Sequence, residues 1–143
     1  MDHAGTALHL AQACADAMYA DDAASRALGI EIVDVAPGRA TATMRITEQM
    51  LNGHRIAHGG YVFLLADTAF AFACNTYNQR TVAAGCDIVF VDAVRDGDLL
   101  TASAVERVRS GRSGVYDVTV RRADGAVVAE LRGRSRTIAG TLL

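Results

Sequence analysis

Apolar residues along this chain change their spacing several times, and each change marks an element. Between residues 6 and 20, Leu8, Leu10, Ala11, Cys14, Ala17 and Met18 recur at roughly helical spacing, which predicts an amphipathic helix that Asp21-Asp22 ends or follows with a short turn. Gly29–Val35 and Arg39–Ile46 then flank the turn dipeptide Pro37-Gly38. The second run sets Ala40, Ala42, Met44 and Ile46 against Thr41, Thr43 and Arg45, so the pair reads as a β-hairpin with one buried face. A polar loop, Thr47–Ala57, leads into a stretch from Gly60 to about Tyr77 that is apolar nearly all round and reads as a buried core helix. Four strand candidates follow, Thr81–Ala93, Asp98–Val108, Gly114–Arg122 and Ala126–Ile138. Turns at Arg95-Asp96-Gly97, Gly111-Arg112-Ser113 and Ala123-Asp124-Gly125 separate them and predict an antiparallel meander.

The sum is an α+β chain, read as a single domain over residues 1–143, in which a curved sheet wraps the second helix and a partner covers what the sheet leaves. At 143 residues and 51% hydrophobic, it has the material for a sizeable core. A net charge of −2 gives no bulk attraction to nucleic acid or an anionic membrane, and neither is expected as a partner. All 14 basic residues are Arg, which excludes a lysine Schiff base and a P-loop lysine. The amino terminus carries acids and no Arg before Arg26, unlike a signal peptide. The later apolar run is interrupted by Asp67 and Thr68 and is too short to span a bilayer, so the expected location is cytoplasmic. Cys14, Cys74 and Cys86 lack the paired spacing of a zinc or redox site and read as buried free thiols.

Asp67 is the one charged side chain between His58 and Asn78. Its helical neighbours Phe63, Leu64, Phe70 and Ala71 are apolar, and no Arg lies between Arg55 and Arg80. Desolvation should therefore raise its pKa, which is one way a catalytic acid or base is made. The alternative is a core acid satisfied by a hydroxyl, a backbone amide or a distant Arg. His58-Gly59-Gly60 weighs against that alternative. Free N–H groups at a helix start, with the helix dipole, form a site for an anion or a developing oxyanion, and the glycines leave room for a carbonyl to approach. Gly59 and Asp67 are eight residues apart, however, or roughly 12 Å along one helix. Two helices antiparallel about a two-fold axis would bring the glycine end of one beside the acid of the other, so an obligate homodimer with two shared sites is expected.

The run MLNGHRIAHGGYVFLLADTAFAFACN at Met50–Asn75 resembles the signature of the PaaI family of bacterial acyl-CoA thioesterases, associated with phenylacetate breakdown. The early ALGIEIVDVAPGRA at Ala27–Ala40 and the later SGVYDVTV at Ser113–Val120 extend the likeness over nearly the whole chain. The resemblance implies a hotdog fold, in which a long antiparallel sheet wraps a central helix. It implies hydrolysis of phenylacetyl-CoA, hydroxyphenylacetyl-CoA or related thioesters to the acid and free coenzyme A. Asp67 would be the catalytic carboxylate, with Gly59 N–H polarising the carbonyl, Asn52 orienting water or substrate, and His58 supporting the loop or the thioester. Gly60 would bind substrate. Arg109 and Arg112 would meet the coenzyme A phosphates. The substrate itself carries the coenzyme A, so no separate cofactor is implied, and the subunits would form a homotetramer of two dimers. Some aryl-CoA hotdog enzymes use Glu with a hydroxyl one helical turn later; Asp67 and Ala71 depart from that pattern.

His54 and His58 have the spacing of two metal ligands, but no third ligand stands at a recognisable distance and no metal is expected. Phe70, Phe72 and Tyr77 read as packing residues. Arg132, Arg134 and Arg136 should share one solvated sheet face. The competing functions are a hotdog hydratase or dehydratase, which leaves the thioester intact, and a non-catalytic acyl-CoA-binding module.

Overall fold

The computed structural model describes residues 3–143; Met1 and Asp2, which open the acidic amino terminus, lie outside the described residues. Helix α1 (His3–Asp21) turns Ala11, Cys14 and Ala15 into the core. The acid pair that closes it also starts a short second helix, α2 (Ala23–Ala27), for which Asp22 is the N-cap. Its carboxylate accepts from Ser25 N–H at 3.0 Å and from the Ser25 hydroxyl at 2.6 Å.

The expected hairpin is present as β1 (Glu31–Ala36) and β2 (Arg39–Arg45), paired antiparallel. Ala40, Ala42, Met44 and Ile46 are buried, as their alternation requires. The central helix α3 runs from Gly59 to Cys74, starting one residue earlier and stopping three earlier than its apolar pattern suggests. It stops because Asn75 turns its side chain back. Its amide nitrogen donates to the Ala71 and Thr81 carbonyls and its oxygen accepts from Thr81 N–H, each at 2.9 Å, which ties the helix end to the start of β3.

The four later strands are β3 (Thr81–Phe90), β4 (Leu99–Ser110), β5 (Ser113–Arg122) and β6 (Val127–Thr137). β4, β5 and β6 form a meander, but β3 does not join it as expected. The sheet order is β1-β2-β4-β5-β6-β3, with β3 pairing β6 at the far edge. The Arg95-Asp96-Gly97 turn therefore closes no hairpin. It ends a crossing from one side of the sheet to the other, pinned where Ala57 N–H donates to Val94 O at 2.7 Å and Gly97 N–H to Ile46 O at 2.9 Å. β4 then joins β2, in register Thr43↔Thr101.

This six-stranded antiparallel sheet curves around α3, the hotdog architecture expected above. Nine residues of α3 are buried, including Val62, Leu65, Phe70 and Phe72. The Phe70 ring meets Tyr116 edge-on, with centroids 5.5 Å apart, and lies flat against β6 at Gly133, where a Cβ would come within 2.6 Å of it. Phe63, Leu64, Asp67 and Ala71, which recur at helical spacing, stay only half-buried and form the stripe the sheet leaves uncovered.

Candidate active site

The loop before α3 is built to present the helix start. The Asn52 side-chain oxygen accepts from His54 N–H at 2.9 Å, and the Asn52 backbone N–H donates to Ile56 O at 2.9 Å. His58 N–H donates to Met50 O at 2.8 Å, which fixes His58 as the N-cap, and its Nδ1 accepts from Gly60 N–H at 2.9 Å. One of the two glycine amides is thus taken. Among the described residues none accepts from Gly59 N–H, so Gly59 carries the donor left for a ligand. Asn52, with its oxygen committed to the loop, can offer a ligand only its side-chain N–H groups.

Asp67 lies two turns further on, half-buried on the uncovered stripe, and burial holds its carboxyl above the ordinary carboxylate value of 3.8, as its apolar neighbours imply. Its polar neighbour is Cys86 on β3, whose thiol points at Asp67 Oδ1 from 4.0 Å. Burial first, and then the Asp67 charge, push the Cys86 thiol upward, which keeps it a protonated S–H donor. Cys86 is half-buried rather than fully buried, while Cys14 and Cys74 match the reading of buried thiols. Burial raises Cys74 to about 12.

β3 forms a second wall beside α3. Cys86 stands by Asp67 and Phe90 by Gly59; four strand residues span roughly 13 Å and eight helical residues roughly 12 Å, so the two elements keep step. A bulge between Ala83 and Gly85 sets the phase of this wall. At its far end, Gly59, Val62, Phe90 and Val128 line a half-open pocket of about 200 Å³, with Asn52 and Asp92 also on its wall. A larger open groove of about 710 Å³ lies between α1 and β1 and contains none of these residues.

Within one chain the structure therefore brings together Asn52, His58, Gly59 and Gly60, and leaves Asp67 near Cys86. Arg109 lies past the opposite end of α3, its guanidinium 3.5 Å above the Tyr77 ring and 3.6 Å from Glu106. Arg112 is exposed in the β4–β5 turn. Arg132, Arg134 and Arg136 share the exposed face as expected; Arg132 grips Asp117 with two bonds of 2.8 and 2.9 Å, and Arg134 pairs with Asp87 at 3.0 Å. The sequence read Cys86 only as a buried thiol and did not single out Phe90. Their signal, alternation through Cys86, Ile88 and Phe90, is masked by apolar residues on both faces of β3.

The family description "Thioesterase superfamily" matches residues 54–129, a span holding His58, Gly59, Gly60, Asp67, Arg109 and Arg112. The chain belongs to the thioesterase superfamily. Within it, acyl-coenzyme A thioesterase PaaI of Escherichia coli (strain K12) is 46% identical over 134 residues, covering 94% of this chain and 96% of that one. The solved structure of E. coli PaaI, from the phenylacetic acid degradation operon, superposes with a TM-score of 0.92 over 94% of this chain and 97% of its own. A variant of the phenylacetic acid degradation protein PaaI from Thermus thermophilus is 34% identical, with a TM-score of 0.77 over 80% of this chain and 97% of its own. The hotdog fold, the likeness to PaaI and the thioester-hydrolase class expected from the sequence are all borne out. Among the described residues of this superfamily member no helix is long and apolar enough to cross a membrane.

Proposed function

We propose that this protein hydrolyses acyl-CoA thioesters whose acyl group carries one aromatic ring, of the phenylacetyl or hydroxyphenylacetyl kind, releasing the carboxylic acid and free coenzyme A. The observation that carries this reading is an uncommitted N–H at the start of α3 together with a desolvated carboxylate on the uncovered face of the same helix. Gly59 N–H holds the thioester carbonyl oxygen, which becomes negative as the carbon turns tetrahedral. A donor already in place at a helix start stabilises that charge more than it stabilises the neutral substrate. Asp67 takes the proton of an attacking water, and the carbon–sulfur bond breaks to release the coenzyme A thiolate, which is then protonated. The same carboxylate attacking the carbonyl directly would expel the thiolate and leave a mixed anhydride for water to open. Asn52 N–H groups orient water or substrate beside Gly59.

Because Gly59 and Asp67 of one chain lie roughly 12 Å apart, the working unit is a homodimer whose antiparallel α3 helices each complete the other's site. The half-buried Phe63, Leu64, Asp67 and Ala71 stripe supports this, as does the open outer edge of β3 with Val82 and Val89 exposed. Such an arrangement carries Arg109 and Arg112 of one subunit toward the Gly59 end of the other, where bidentate Arg suits the coenzyme A phosphates. Two dimers then make a homotetramer. The acyl class is supported by the cavity beside Gly59, since about 150 Å³ of apolar space takes a benzene ring and this one measures about 200 Å³. Free thiols at Cys14, Cys74 and Cys86 suit a reducing cytoplasm.

The test is thiol release from phenylacetyl, hydroxyphenylacetyl, benzoyl and straight-chain acyl-CoA, with Asp67→Asn as control. Rapid release from the single-ring arylacetyl thioesters, lost in the variant, is the expected result. An unreacted thioester bound by a folded oligomer, or one hydrated without thiol release, would reject hydrolysis.

A further inference from the structure

We propose that Phe90 decides which acyl groups are hydrolysed, by forming the aromatic wall of the acyl pocket beside the Gly59 N–H. The inference rests on the thioesterase reading above and adds a specificity-determining residue to it. Position comes first. The bulge between Ala83 and Gly85 turns Cys86, Ile88 and Phe90 toward α3, so the last residue of β3 falls opposite the first residue of the helix. A methyl group on Gly59 would lie 3.0 Å from Phe90 Cζ and 3.3 Å from both Cε atoms, so the tip of the ring points at the helix start.

Exposure separates this phenylalanine from the packing ones. Phe70 and Phe72 are each 1% exposed, whereas Phe90 is 53% exposed despite facing the helix side of the sheet. A ring held in that position contributes little to the core and a large surface to whatever enters beside it. The same ring closes one side of the cavity that Ile56, Val62, Val94 and Val128 also line. A thioester carbonyl directed at Gly59 N–H sends its acyl group along Phe90 into that cavity. One aromatic ring fits there in edge or offset contact with Phe90. A fused two-ring group meets the Phe90 ring, and removing that ring relieves the crowding.

The experiment compares kcat/KM for acetyl-CoA, phenylacetyl-CoA and 1-naphthylacetyl-CoA in the wild type, Phe90→Ala and Phe90→Leu. The naphthylacetyl to phenylacetyl ratio should rise by about tenfold or more in Phe90→Ala, the scale on which pocket shape discriminates. Phe90→Leu should fall between the two. A ring with only a structural role would lower all three substrates together, and that result, or an unchanged ratio, overturns the inference. If the wild type releases thiol from none of them, the hydrolase reading fails by itself. Phe90 is then judged by calorimetric titration with phenylacetate and 1-naphthylacetate: a preference shifted toward the larger acid in Phe90→Ala upholds the wall, and an identical preference in both proteins refutes it.

Discussion

Asp67 is an acid on an apolar helix, and its charge has opposite effects on stability and on catalysis. Burial raises its folded pKa above the ordinary 3.8, so the fold favours the protonated form. The stability this confers is fully present below the ordinary carboxylate value and is lost as pH rises through the raised one. At neutral pH the ionised group therefore costs stability. Asp67→Asn should melt a few degrees higher than the wild type in neutral buffer, with the difference closing as the pH is lowered below the ordinary carboxylate range; calorimetry across that range checks it. The same variant should lose about 10²–10⁴-fold in kcat, and wild-type kcat/KM should fall on the acid side at a pH above that of a free aspartate. Gly59→Ala belongs at this scale too. Its methyl would stand 3.0 Å from an exposed, movable ring, so the melting temperature should hold while displacement of the carbonyl lowers kcat/KM by about 10²-fold. Asp67 and Gly59 were legible in the sequence because a lone acid among apolar residues and a Gly-Gly helix start are local patterns. Cys86 and Phe90 were not, because what distinguishes them is the helix face they stand against.

Among the elements, α3 holds the proposed site, Gly59 at its start and Asp67 near its middle. His58 caps its first turn through Nδ1 and Gly60 N–H. His58→Ala should cost about 0.5–2 kcal/mol by denaturant unfolding, and His58→Asn, which restores a cap, should recover most of it. If His58 acted instead as a proton carrier, the Asn variant would recover stability but no activity. Further along, Gly133 on β6 lets the Phe70 ring lie against the strand, a Cβ there coming within 2.6 Å. Gly133→Ala should destabilise by about 1–3 kcal/mol through overpacking, measured in the same unfolding series. The hairpin, the apolar helix and the β4–β6 meander follow from period and turn chemistry. The short α2 does not, since its start rests on a single capping aspartate within what reads as a turn.

For the whole molecule the decisive feature is the open edge at β3. Val82 is 44% exposed and Val89 63%, on a strand whose outer side pairs with nothing among the described residues. A charge on such an edge opposes strand pairing. Val89→Lys should therefore split the dimer that shares its sites, seen as a lower mass by sedimentation velocity, and remove turnover as well. Full activity in a monomer would contradict the shared site. By itself the sequence determined the α+β class, the order of the two long helices and six strands, the buried alternation of β2 and the residues at the start and middle of the central helix, because each is written in local spacing. Only the tertiary structure decided that β3 leaves its neighbour β4 for the far edge beside β6, that Gly60 N–H is consumed by His58, and that Cys86 and Phe90 wall the helix. Those outcomes depend on which backbone groups and side chains meet across long sequence separations, where strand partners compete for the same sheet edge and the local pattern is equally satisfied by more than one arrangement.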